Sequence, residues 1–124
     1  MKYAIDKQEH YAVMSLQEEN LNSVLAPGLK SELIILRNEG IENLILNLED
    51  VKFVDSSGLS AILTGNRLWN DGGYFILTGL KHPSVSKLIA ISRLDSILTI
   101  KTDVTEGVDF IMTDDLETEL EADS

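Results

Sequence analysis

The stretch NLILNLEDVKFVDSSGLSAIL, residues 43–63, decides the architecture. Leu44, Ile45, Leu46 and Leu48 form an apolar run of strand length, and Val51, Phe53 and Val54 carry the strand region on to Asp55. A helix is predicted over residues 57–70, with Leu59, Ile62 and Leu63 on its inner face. A strand that passes into a helix through Asp55-Ser56-Ser57-Gly58 sets those residues at the carboxyl end of the strand, where α/β sheets meet ligands and partners. Gly58 lets the backbone turn tightly and exposes the neighbouring hydroxyl, while Asp55 or Ser56 can accept from the first helical N–H groups. A phosphate on Ser57 would lie at a helix N-terminus, whose free N–H groups and dipole favour anions. Taken alone, D-S-S-G before a helix is more often an ordinary cap and turn than a modification site.

Upstream of this stretch, Leu25, Leu29, Leu33 and Leu36 recur at helical spacing on one face, with Asn22 or Ser23 as the cap, Pro27 in or just past the first turn and Gly40 after the end. Before that helix, residues 2–7 and 11–16 read as two strands joined by a short polar turn, a hairpin. Downstream, Asn70-Asp71-Gly72-Gly73 ends the central helix, and Trp69 reads as its half-buried last residue. Residues 74–77 form a continuous apolar run, the mark of a strand buried on both faces. Pro83 then opens a helix bearing Val85, Leu88, Ile89 and Ser92 on one side, with His82 as a helix-start or surface residue. A strand over 97–100 and a short helix over 104–112 complete the pattern. After the hairpin, helix and strand alternate, which predicts a single α/β domain with a mainly parallel sheet and about four helices.

Composition narrows the function. The 124 residues carry 10 Lys plus Arg against 21 Asp plus Glu, a net charge of −11, so the basic footprint of a nucleic-acid binder is missing. The charge is unevenly spread: residues 102–124 hold 9 acids and no base, leaving the rest nearly neutral. A domain over 1–112 followed by a solvated, flexible acidic tail over 113–124 is therefore expected, because residues 114–124 offer only two leucines as large apolar groups. The chain has no cysteine, and His10 and His82 lie far apart, so no thiolate or zinc spacing exists and no cofactor or metal is expected. Residues 1–10 lack the apolar run of a signal peptide, and nothing approaches the ~20 apolar residues of a membrane span. A cytoplasmic protein without direct membrane contact is the expectation.

The central stretch also resembles a known family. Phe53, Asp55, Ser56, Ser57, Gly58 and Leu59 reproduce the F-x-D-S-[ST]-G-L element of the STAS domain in bacterial anti-sigma factor antagonists. LAPGLKSEL, residues 25–33, is similar to the A-P-x-L-x-x-x-L helix of bacterial members, and Gly72-Gly73 followed by PSVSKLIAISRLDSIL, residues 83–98, is similar to their downstream segment. The resemblance covers roughly residues 2–112. One departure lies at Glu18-Glu19-Asn20-Leu21-Asn22, where Glu19 stands in place of the glycine of a frequent G-E-[LI]-D element.

What the resemblance implies is a protein switch rather than an enzyme. An unphosphorylated antagonist binds an anti-sigma factor that is also a serine kinase of the GHKL type. Phosphorylation ends that binding, and a PP2C-type phosphatase reverses it. The acceptor serine of the family maps to Ser57, Asp55 maps to the acid that holds the loop, and residues Asp55, Ser56, Ser57, Gly58 and Leu59 form the partner-binding loop. A second branch of the same family implies another role, a STAS subunit packed on an ABC-type lipid-transport ATPase with no phosphorylation.

Other classes fit less well. An esterase elbow G-x-S-x-G lacks its first glycine here, and no phosphate-binding G-x-x-x-x-G-K-[ST] or G-x-G-x-x-G occurs. A phospho-receiver domain needs an acidic pair after its first strand, and Asp6 and Glu9 are not adjacent. Glu49, Asp50 and Asp55 are close enough in sequence to suggest a magnesium site, but such acids in a turn are usually solvated.

Overall fold

The computed structural model describes the backbone of residues 1–122 and the side chains of residues 1–114. A five-stranded sheet runs in the order β1 (Tyr3–Lys7), β2 (Ala12–Leu16), β4 (Leu44–Asn47), β6 (Phe75–Thr78) and β7 (Thr99–Lys101). The β1–β2 pair is the antiparallel hairpin, and every later pairing in this sheet is parallel. The helices are α1 (Ala26–Asn38), α2 (Ser56–Leu68), α3 (Pro83–Ile91) and α4 (Val104–Ala122). The α/β fold with a mainly parallel sheet, an N-terminal hairpin and four helices is thus the one expected.

Alternation along each strand divides the core between the two faces of the sheet. Ala12, Met14 and Leu16, Leu44 and Leu46, and Phe75 and Leu77 meet Leu29, Leu33 and Leu36 of α1, Ala61 and Ile62 of α2, and Val85 and Ile89 of α3 in the larger cluster. Val13, Ile45 and Ile76 point the other way and meet Ile111, with Val104 and Val108 packed beside it on α4. The central strands therefore have apolar residues on both sides, which accounts for their unbroken hydrophobic runs. Helix α4 comes close through Gly107, where a Cβ would stand 3.2 Å from Ile45 Cδ1.

Several elements depart from the sequence reading. The strand region expected up to Asp55 is two strands in two sheets. After β4 the chain turns, with the Val51 N–H donating to Leu48 O at 3.0 Å. It then forms β5 (Phe53–Val54), which pairs in parallel with β3 (Asn20–Leu21) as a separate two-stranded sheet. Strand β3 has no apolar alternation to announce it.

The expected strand over 97–100 begins later, because Arg93 adopts a left-handed conformation (φ 58°) and Leu94–Ser96 forms a 3₁₀ turn. That turn buries Leu94 and Leu98 and leaves Ile97 outside. Helix α4 does not stop near Met112 but continues to Ala122, through leucine, glutamate and alanine positions that favour helix. The expectation of a flexible, solvated tail over 113–124 depends mainly on side chains that lie outside the described residues.

Trp69 is fully enclosed rather than half-buried, at 1% exposure. Its Nε1 donates to Ile41 O at 3.0 Å, its ring stacks on Phe75 at 6.0 Å, and the Arg37 guanidinium lies 5.6 Å from its centroid. Among the described residues no helix is long and apolar enough to cross a membrane.

Candidate functional site

Asp55 is the N-cap of α2. Its backbone is extended (φ −99°, ψ −174°), and its Oδ1 accepts the Gly58 N–H at 2.9 Å while its carbonyl accepts the Leu59 N–H at 2.9 Å. A carboxylate in this place satisfies an otherwise unpaired helical donor and complements the positive end of the helix. The second oxygen, Oδ2, reaches a different part of the chain and accepts the backbone N–H of Ser23 at 3.2 Å. One side chain therefore ties the start of α2 to the turn that leads into α1.

That turn has its own cap. Asn22 Oδ1 accepts from Val24 N at 3.1 Å and Leu25 N at 3.3 Å, so Asn22 orders the turn before the helix rather than the first residue of α1 itself. Behind the loop, β3 and β5 bring Leu21 and Val54 against Gly58. A Cβ at Gly58 would collide with Leu21 O and stand 2.8 Å from Val54 Cγ1. Glycine is thus required here by close approach, which lets α2 begin directly on the small sheet.

These contacts fix the exposure of the loop. Asp55 and Ser56 are exposed, Ser57 and Leu59 are half-buried, and Gly58 is buried. The five residues singled out from the sequence are therefore contiguous at the start of α2, with Ser56 exposed and Ser57 half-buried at the edge of one groove. That groove, about 260 Å³, lies between the beginnings of α1 and α2 and is lined by Ser23, Pro27, Lys30, Ser56, Ser57 and Ser60. A larger cavity of about 740 Å³ lies among Asn47, Leu80, Lys81, Lys101 and Asp103, away from the serines.

The three carboxylates considered as a cation site are not used together. Glu49 pairs with Lys81 at 2.6 Å, while both oxygens of Asp55 face backbone N–H groups. Apolar side chains flank the loop instead: Phe53 on β5 is 59% exposed and Val24, beside Ser23, is 80% exposed.

Sequence reasoning did not place Ser23, Val24 or Lys30 at the site. They belong to it only because α1 starts beside α2, a tertiary relation with no local signal except the Asx-type turn at Asn22.

A model of the STAS domain matches residues 2–107. The chain belongs to the STAS domain family. Its fold is similar to that of an anti-sigma-factor antagonist (STAS) domain protein from Planctomyces limnophilus, with 15% identity, a TM-score of 0.80 and coverage of 89% of this chain and 97% of that one. It is also similar to the anti-sigma factor antagonist SpoIIAA in its unphosphorylated form, with 22% identity, a TM-score of 0.74 and coverage of 90% and 97%. The likeness extends to the Bacillus cell fate determinant SpoIIAA in its phosphorylated form, at 21% identity, a TM-score of 0.66 and coverage of 89% and 99%. At these identities the likeness is one of fold. In this STAS chain the departure at Glu19 falls beside the loop: its carbonyl accepts from Lys52 N at 2.7 Å and Phe53 N at 3.1 Å, and its carboxylate meets Lys52 Nζ at 3.2 Å.

Proposed function

We propose that this STAS protein is an anti-sigma factor antagonist that works by partner switching. In its unmodified form it binds an anti-sigma factor with serine kinase activity, of the GHKL type, through residues 55–59 and the exposed side of α2. The kinase phosphorylates Ser57, the complex dissociates, and a PP2C-type phosphatase restores the binding form. The protein is a substrate and a ligand in this cycle, so it needs no catalytic residue of its own.

The observation that carries this reading is the position of Ser57 at the edge of an open groove, next to an acid that caps the helix and braces the neighbouring turn. A loop held from both sides offers a partner the same surface at each encounter, which reduces the ordering cost of association. Phosphate would bring about −1.5 to −2 charges to a place where Asp55 already carries one. A partner complementary to the unmodified loop must then desolvate a dianion or meet it with its own acids.

Calorimetric titration of the unmodified and Ser57-phosphorylated protein against the purified kinase tests the proposal. The phosphorylated form should bind at least ~10-fold more weakly, a change of about 1.4 kcal/mol. Equal affinities would remove the switch and leave a constitutive scaffold, the role implied by a transport-complex subunit.

A further inference from the structure

We propose that Lys30 is the internal counter-ion of phosphoserine at position 57, holding the phosphate across the groove against α1. The proposal rests on the reading of Ser57 as the acceptor and adds a residue that the serine motif does not contain.

Three lysine or arginine side chains are half-buried among the described residues: Lys30, Arg37 and Lys101. Arg37 lies over Trp69 and donates to Ile41 O and Gly72 O, and Lys101 lies 4.7 Å from the Phe110 centroid. Lys7, Lys52 and Lys81, though exposed, each face a carboxylate. Lys30 has none of these described partners. It lines the same groove as Ser56, Ser57 and Ser60, one helical turn into α1. An ammonium that lines a groove without a counter-charge is available to an incoming anion.

The other charged group near position 57 is Asp55, which repels a phosphate. From the remaining elements packed at this end, Leu21 of β3 and Val54 of β5 bring no charge. Both oxygens of Asp55 are already committed to the N–H groups of Gly58 and Ser23. Beside the backbone N–H groups at the start of α2, Lys30 is the cationic side chain lining the groove that can compensate a dianion there. With the ion pair formed, the phosphate bridges α1 and α2, so modification changes the loop's surface without loosening its frame.

The test uses the full chain with phosphoserine installed at position 57 during translation, so that its result is independent of any kinase. The second phosphate ionisation is followed by phosphorus NMR in the otherwise native chain and in Lys30→Gln, Lys30→Arg and Lys87→Gln. A counter-ion favours the dianion, so Lys30→Gln should raise the midpoint, ordinarily near 6, by about 0.5 pH unit, with Lys30→Arg close to native. Lys87→Gln, a change of equal charge on α3, should leave it where it was. Identical midpoints for the otherwise native chain and Lys30→Gln, or an equal shift from Lys87→Gln, would overturn the proposal. Failure of the kinase to modify Ser57 would overturn the switch while leaving this result standing.

Discussion

The carboxylate of Asp55 accepts the backbone N–H of Ser23 at 3.2 Å, across 32 positions of sequence, while its other oxygen caps α2. The acid of the serine motif is therefore a brace between two helices as well as a cap. Asp55→Ala should destabilise the fold by about 1–2 kcal/mol, the upper part of the range for a lost N-cap, because two donors lose their acceptor. Asp55→Asn keeps one carbonyl oxygen and should cost less. Urea unfolding of the three proteins checks this, and an unchanged midpoint for Asp55→Ala would show that the brace contributes nothing.

Phosphorylation by the cognate kinase should map to Ser57. Ser57→Ala should abolish it, whereas Ser56→Ala should retain most of it, because the family's acceptor serine maps to Ser57; both serines line the groove that Lys30 shares, Ser56 being the more exposed. Phosphopeptide mapping that placed the group on Ser56, Ser60 or Thr64 would contradict the assignment.

Two helical glycines should respond in opposite senses to alanine. A Cβ at Gly65 would run into the ring of Phe75, so Gly65→Ala should destabilise by about 1–3 kcal/mol through overpacking. Nothing lies within 4 Å of a Cβ at Gly28, so Gly28→Ala on α1 should stabilise by about 0.4–1 kcal/mol. Thermal melts of both variants decide the comparison.

Acid should remove one surface contribution in a defined window. The hydrogen bond from Lys81, and then its charge, hold the Glu49 carboxyl below its ordinary value of 4.5. A lowered carboxylate stabilises the fold above its unfolded value and loses that effect as pH falls through its folded value. The melting-temperature difference between the native chain and Glu49→Gln should thus be present at neutral pH, begin to shrink as pH falls past 4.5 and vanish only below the lowered folded value. Because the pair is exposed, the difference should be small and should shrink further in high salt.

What the sequence discloses depends on whether a feature is local. The leucines of α1 share a face by spacing alone, and the apolar runs of β4 and β6 report burial on both sides, so the sheet and its crossovers follow from them. Helix α2 is harder. Leu59 and Leu63 suggest the inner face by size, yet the buried positions are Gly58, Ala61, Ile62 and Gly65, since the helix approaches its neighbours through small residues. Trp69 looks like a helix end until Arg37, Ile41 and Phe75 close around it. For the site, the motif supplies Asp55 and the serines, but the partners from the start of α1 come only with the tertiary structure. The motif names the loop, and the start of α1 supplies its surroundings.

The two-residue ladder that pairs Asn20 with Phe53 and Leu21 with Val54 has an energetic consequence of its own. The loop of residues 55–59 hangs from this ladder, outside the five-stranded sheet, and is anchored to the core through Leu21, so opening it gives up the burial of Leu21 but leaves the β4–β6 pairing in place. Sub-global openings of this kind cost only part of the global unfolding free energy. If Ser57 is the acceptor as proposed, a kinase cleft would draw its half-buried side chain outward, and the free energy of that local opening would enter the rate of modification. Amides of the small ladder should accordingly exchange with solvent sooner than those of β4 and β6. Under the proposed switch, substitutions at the exposed positions Asn20 and Phe53 would tune the rate of modification while leaving the melting point of the domain nearly where it is, a freedom that the buried Leu21 lacks.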